Sequence, residues 1–390
     1  MKPGDAVVRP TEKVTASARQ WRREFHSRPE LLFDVPQTAA RVADHLERFG
    51  CDRVTTGIGR SGVVGVVEGR RGPGPVIGIR ADMDALPITE ATGLPYASTH
   101  SGRMHACGHD GHMAILLGAV CHLASTRAFS GCLVAIFQPA EEGGAGAKVM
   151  VDDGLIEKFE VEEVYALHNM PGMDVGTFAI SDGAMLAASD RFDIRIIGKG
   201  GHAARPHETI DPVIVGSHLV AMMQSVVSGE AEPTDPAVLS ITSMHAGEAY
   251  NVISGELALR GTARTLSVAN RDLLESRVRS MPPAVAQAFG AEAEVIYQRG
   301  YPPTINHARK ARKLGDAAAR VVGEMAVERS FKPIMGAEDF SYMLQASPGA
   351  FIFMGNGATA ALHHPAYNFN DEALAYGISL WIELVTRSNG

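Results

Sequence analysis

Five short segments of this chain are apolar almost without a break: GVVGVVEG (62–69), GPVIGIRADMD (74–84), GCLVAIFQPAEEGG (131–144), VEEVYALHNMPG (161–172) and GAFIFMGNG (349–357). Runs of this length bounded by Gly, Pro or charge predict strands, and a strand with no polar face must be covered on both sides. Sheets covered on both sides are parallel at their centre and flanked by helices. Helical patterns lie where that architecture needs them, at 15–30, 38–50, 113–125, 147–154 and 311–324, with Gly50 placed as a C-terminal cap. In such sheets ligands gather beyond the carboxyl ends of the strands. Those ends are where the polar residues cluster: Asp82 and Asp84, Glu141 and Glu142, His168, and, shortly after the last run, His363 and His364.

The middle of the chain has a different rhythm. RFDIRIIGKG, AVLSITSMHAG, GELALRGTARTL and AEAEVIYQRG read as strands. DPVIVGSHLVAMMQSVVSG and NRDLLESRVRSMPPAVAQAFG read as helices, the first capped by Asp211 with Pro212 in its first turn. Pro282 and Pro283 are predicted to kink or split the second helix. The order βαββαβ is that of a ferredoxin-like unit. It is expected at 190–300, inserted between two parts of the sheet domain at 1–189 and 301–390, and a chain of 390 residues is long enough for two domains.

Bulk properties narrow the partners. A net charge of -8 with no basic stripe excludes nucleic acid. The most apolar helical candidate, 112–124, carries two histidines and is shorter than the ~20 residues of a membrane span. The N-terminus has no secretory apolar segment, so a soluble, cytoplasmic protein without a membrane partner is expected. Four cysteines in so long a chain do not form a disulfide framework, and Cys121 and Cys132 read as buried packing residues.

Chemistry concentrates in MHACGHDGHM (104–113). Gly108 between Cys107 and His109 lets a tight loop aim a thiolate and an imidazole at one point. The pair alone is weak, but with Glu142, His168 and a C-terminal histidine it becomes a donor set suited to zinc, nickel, cobalt or manganese. Five ligands exceed the needs of one open site and suit two ions sharing a water. Glu141 and Glu142 leave a strand in different directions, so one can ligate while the other serves as a general base. Each residue also has a plainer reading. Glu141 and Glu142 could form an exposed acidic loop, His168 could be an interior histidine, and His202 could decorate a glycine-rich turn. Asp82 and Asp84 either cap the turn after their strand or accept from a ligand imidazole. His105, His112 and His122 are assigned to structure. Cys107 as a nucleophile with His109 as its base, in a thiol hydrolase, is a competing reading. A catalytically silent metal-binding protein of the same fold is another.

FHSRPEL, RADMDALPITE, MHACGHDGHMA, FQPAEEGGAGA, LHNMPG, GKGGHAARPHETIDP, NVISGE, GTARTL, GAEDFSYM and LHHPAYNFNDE, running from Phe25 to Glu372, together resemble the M20 metallopeptidase family. The similarity is to its amidohydrolase branch of hippurate hydrolases, N-acyl-amino-acid deacylases and auxin-conjugate hydrolases. The resemblance implies a zinc-exopeptidase-like α/β sheet domain with an inserted ferredoxin-like α+β domain that serves as dimerisation or lid domain. It implies two divalent ions per subunit, Mn2+ or Zn2+ with Ni2+ or Co2+ as options, on Cys107, His109, Glu142, His168 and His363. His364, beside His363, keeps the choice of C-terminal ligand open. Glu141 corresponds to the general base, and His202 to a histidine that reaches a partner subunit's site and stabilises the oxyanion, in a homodimer or dimer-based homo-oligomer. Asn251 and Arg264 are similar to residues that hold a substrate carboxylate. The expected reaction is hydrolysis of the amide bond in N-acyl amino acids or similar small conjugates, with metal-bound hydroxide as nucleophile.

Overall fold

The computed structural model describes residues 9–388. The chain divides into two compact units, one made of residues up to 183, 305–332 and 339 onward, the other of residues 184–304 and 333–338.

In the first unit, β1 (Arg53–Ile58), β2 (Gly62–Glu68), β3 (Val76–Asp82), β4 (Cys132–Gln138) and β5 (Glu163–Met170) enter an eight-stranded sheet. Strand Gly349–Gly355 and the two-residue strands Phe178–Ala179 and Val327–Glu328 complete it, in the order β1, β2, β4, β3, β5, 349–355, 178–179, 327–328. The four central strands, β4, β3, β5 and 349–355, are mutually parallel, and β1 and β2 form an antiparallel edge. The sheet is therefore mixed and centrally parallel, as its unbroken apolar runs predict. β4, β5 and Gly349–Gly355 are buried along nearly their whole length, since helices cover both faces. Register aligns the strand ends: Asp82 pairs with Gln138, and His168 with Phe353.

Helices α1 (Glu12–His26), α2 (Pro36–Phe49) and α3 (His109–Thr126) pack together, and Leu374–Thr386 closes over α3. The Thr11 side chain accepts from the Val14 N–H at the start of α1, and Gly50 takes a left-handed φ of 78° at the end of α2. α3 is buried on almost every side, which explains why its sequence shows no polar stripe. Among the described residues the one helix long and apolar enough to cross a membrane by length and composition is Pro212–Gly229, with a mean hydropathy of 1.3, rather than the segment 112–124.

The second unit has an antiparallel sheet in the order 237–245, 256–265, 190–197, 292–299. Strand Asp190–Ile197 alternates buried and exposed along its length, as it must with helices on only one face. Helices Pro212–Gly229 and Val268–Ala288 bury Val215, Leu219, Leu274 and Val278 against it, giving the ferredoxin-like arrangement. The expected break at Pro282 and Pro283 is absent, and Val268–Ala288 runs on as one helix. Two N–H donors are lost there. Leu274, Val278, Pro282 and Val285 are nevertheless buried, and packing of that face holds the helical path that propensity alone would interrupt.

A buried ionic knot in the first unit pins α1 to the start of α3. His26 Nδ1 donates to Asp110 Oδ2 at 2.8 Å, and its Nε2 lies 3.2 Å from Glu90 Oε1. Arg22, also fully buried, spans Asp110 at 3.5 Å and Asp371 at 2.8 Å. Burial works against a charged imidazole, but Asp110 and Glu90 outweigh it and lift the His26 pKa to about 9. That value exceeds the ordinary one, so the stabilisation is full below about pH 6.5 and lost as pH rises through about 9. Urea denaturation from pH 7 to 10 should show this loss. His26→Gln should cost about 3–5 kcal/mol at pH 7, as when one partner of a buried pair is removed, and should remove that part of the pH dependence.

Candidate metal centre

Cys107 and His109 stand at the N-terminus of α3, with Gly108 in the left-handed region at φ 93°. A Cβ on Gly108 would run into the Asn169 side chain and the Tyr367 hydroxyl, so only glycine fits between the two donors. His168 lies in β5, Glu141 and Glu142 follow β4, and His363 comes from the segment after Gly349–Gly355. These separate pieces meet. The donor atoms of Cys107, His109 and His168 lie within 4.8 Å of one another, as do those of Cys107, Glu142 and His363, and those of His109, Glu141 and Glu142. The first two groups share the Cys107 sulfur. His363 Nε2 is 3.3 Å from Glu142 Oε1, whereas the His364 ring accepts from the nearby Ala366 N–H. Glu141 is buried rather than part of an exposed acidic loop.

The hydrogen bonds fix which ring nitrogens face inward. His109 Nδ1 donates to the Asp84 carbonyl and His168 Nδ1 to the Asn169 carbonyl, both at 2.7 Å, which leaves each Nε2 directed at the cluster. His109 Nε2 and Glu142 Oε1 are buried without a well-formed hydrogen bond, their charged neighbours Asp82 and His363 lying at 3.5 and 3.3 Å. Inward-facing lone pairs, orphaned buried acceptors and a soft-to-borderline donor set fit a pair of divalent cations.

Charge leads to the same place. Burial opposes a proton on His109, yet Asp82, Asp84 and Glu142 raise its pKa to about 10, so the cavity favours positive charge. Burial, Glu142, Glu141 and Asp82 push the Cys107 thiol well above its usual range, and burial with His112 pushes His168 well below its own. A thiol held protonated beside carboxylates is a poor nucleophile, which counts against the thiol-hydrolase reading; a cation at the sulfur reverses the balance.

Asp84 both holds a turn, the one after β4 rather than its own, and orients His109, through its carbonyl, whereas Asp82 binds His112. Asp84 Oδ1 and Oδ2 accept from the Glu141 and Glu142 N–H groups at 2.9 and 3.1 Å, while its carbonyl orients His109. Asp82 accepts from His112 Nδ1 at 2.7 Å and lies 3.5 Å from His109 Nε2. Sequence reasoning passed over the residues behind these. Arg80 donates to Gln138 at 2.7 Å, Asp82 at 2.9 Å and Asp339 at 3.0 Å, and Asp339 accepts from the Ala147 N–H at 2.9 Å. Arg80 and Gln138 lie near the ends of β3 and β4, while Asp339 sits in a turn with no such signal. His105 is fully buried apart from the donor set, and Cys121 and Cys132 are half-buried free thiols.

The remaining expected residues lie in the second unit. His202 is exposed in the strand Gly201–His202, which pairs with Val252–Ile253, and the Ala203 N–H donates to the Asn251 carbonyl at 3.0 Å. Arg264 is half-buried on Glu256–Thr265, and no hydrogen bond or ion pair to it is found among the described residues.

Residues 78–387 match Peptidase family M20/M25/M40, and the chain belongs to this family. It is 39% identical to the hippurate hydrolase of Campylobacter jejuni, covering 94% of this chain and 95% of that protein. It is 38% identical to an N-acetylcysteine deacetylase of Bacillus subtilis, covering 93% and 94%. Among solved structures, the B. subtilis YxeP protein, described as a dinuclear metal binding peptidase from the M20 family, superimposes with a TM-score of 0.84 at 34% identity, covering 96% and 98%. The protein is accordingly an amide-cleaving hydrolase on a dinuclear metal-binding fold.

Asp84→Asn replaces one of two acceptors with a donor facing an N–H. It should weaken metal retention by about 10–100-fold, measured as metal content after graded chelator exposure.

Proposed function

We propose that the protein hydrolyses the amide bond between a small acyl group and an amino acid or similar amine. The observation that carries this reading is the convergence of Cys107, His109, Glu142, His168 and His363 beside the buried Glu141. In this reading Cys107, His109 and His168 would hold one divalent ion, and Cys107, Glu142 and His363 the second. Thiolate and imidazole donors suit zinc, with nickel and cobalt also accommodated, and manganese is the further option that the family resemblance adds. When bound, such ions lower the pKa of water and polarise a carbonyl.

The chain's own groups supply the rest. Glu141 takes the proton of the attacking water and passes it to the departing nitrogen, so its carboxylate acts twice in one turnover. The Asp84 carboxylate fixes the main chain that carries Glu141 and Glu142. Arg264, a half-buried guanidinium that feels Asp190 but makes no side-chain hydrogen bond or close ion pair among the described residues, is suited to a substrate carboxylate, and Asn251 would assist it. The relatives that act on hippurate and on N-acetylcysteine both support an acyl amino acid as substrate. His202 would donate to the oxyanion in a partner subunit's site within a homodimer. Exposed Ile214 and Met222 on Pro212–Gly229 favour the ferredoxin-like domain as the place of contact.

Glu141→Gln should keep its full metal content while kcat on N-acetyl or N-benzoyl amino acids falls by about 10^2–10^4-fold. Metal lost in parallel with activity would make Glu141 a ligand instead. Service in trans has its own test. Glu141→Gln and His202→Ala, each inactive alone, should recover activity when co-refolded, because a mixed dimer contains one intact site. No recovery in dimers shown by mass to be mixed would place His202 outside the partner's reaction.

A further inference from the structure

His112, a histidine within a buried helix, has a more specific task than packing. It lies one turn after His109, is almost fully buried, and is centred 4.6 Å from the His168 ring and 5.6 Å from the His109 ring. Its Nδ1 donates to Asp82 Oδ1 at 2.7 Å. Its Nε2 lies 2.7 Å from the Asn169 amide oxygen and 3.2 Å from the Asn169 main-chain nitrogen. The Asn169 amide nitrogen donates in turn to the Tyr367 hydroxyl at 2.6 Å. All four side chains are buried, so each of these bonds forms in a medium where losing a partner is costly.

The chain Asp82, His112, Asn169, Tyr367 joins the end of β3, the first turn of α3, the end of β5 and the C-terminal segment. Asn169 is its hub. Its carbonyl accepts from His168 Nδ1, and its side chain, with the Tyr367 hydroxyl, fills the space a Cβ on Gly108 would need. Gly108 separates Cys107 from His109, so one asparagine touches the supports of three donors. His112 is what holds that asparagine against α3.

We propose that His112 is a positioning residue which, through Asn169 and Tyr367, sets the separation of the Cys107 sulfur, His109 Nε2 and His168 Nε2. The proposal rests on the reading of these three as ligands. Without His112, the end of β5 and the first turn of α3 lose their direct hydrogen-bonded link, and the three donors no longer meet at one distance.

The test is titration of the metal-stripped protein with Co2+, followed by the thiolate-to-cobalt absorption, with thermal melts of each apoprotein alongside. His112→Leu keeps the bulk but neither bond and should bind cobalt about 10–100-fold more weakly, with a changed thiolate band. His112→Gln, whose amide reaches the position of Nε2, should recover most of the affinity. Tyr367→Phe removes one hydroxyl and should shift affinity less, in the same direction; it decides the matter if the leucine variant does not fold. Leucine and phenylalanine variants that titrate like wild type overturn the proposal, and so does an equal loss in the glutamine and leucine variants, which assigns the effect to packing. A wild-type protein that gives no thiolate-to-cobalt band overturns the ligand reading itself, which separates that failure from failure of His112 as its support.

Discussion

Three hydrogen bonds made by Asp84 tie together parts of the chain that local folding would leave independent. Its carboxylate takes two main-chain N–H groups from the turn after β4, and its carbonyl takes the Nδ1 proton of His109 at the start of α3. A two-residue step past the end of β3 thereby sets the direction of both glutamates and the tautomer of one imidazole. This works because β3 and β4 are parallel and end level with one another, so a short side chain can span from one strand end to the next. The turn it holds is not relaxed: Ala140 and Ala145 both have positive φ, at 56° and 54°. Buried hydrogen bonds to Asp84 and Asp339 offset that cost.

The electrostatics follow from the same crowding. Carboxylates of Asp82, Asp84, Glu141 and Glu142 lie within a few residues of strand ends that are buried from water. Burial first and then these carboxylates raise Cys107, and the carboxylates raise His109 against burial, so a proton and a cation compete for one place. A divalent ion resolves that competition better than protons do, because it meets several donors at once and leaves the thiolate ionised. The same field that weakens a free-thiol mechanism therefore favours a metal centre, and the two readings of Cys107 are separated by charge rather than by distance.

What could be read from the sequence divides along physical lines. The central strands were legible because burial on both faces leaves a run of apolar residues that few other elements produce. The ferredoxin-like unit was legible for the opposite reason: its one-sided sheet alternates. Cys107, His109, Glu142 and His168 stood out as polar residues beside buried apolar segments, while His363 entered the proposed donor set through the family resemblance. Their supports did not stand out. Asn169 and Tyr367 are ordinary residue types whose importance lies in a contact across 198 positions, and His112 in a buried helix looks the same whether it merely packs or braces. Pro282 and Pro283 were read by local rules, and there packing against the sheet overrode them.

The donor set is unequal in rigidity, and this bears on how an amide could enter it. Cys107, His109 and His168 are buried and come from a helix start and a strand, with their rings bonded to main-chain carbonyls. Glu142 and His363 come from loops, and the His363 side chain is 53% exposed with a φ of 64°. Motion is cheapest where few buried contacts are lost, so the Glu142 and His363 side can yield while the Cys107 side keeps its geometry. A carbonyl approaching from solvent meets the adjustable side first. Glu141, beside His109 and Glu142, has its main chain fixed by Asp84, so on the proposed reading the base would keep its place while Glu142 adapts.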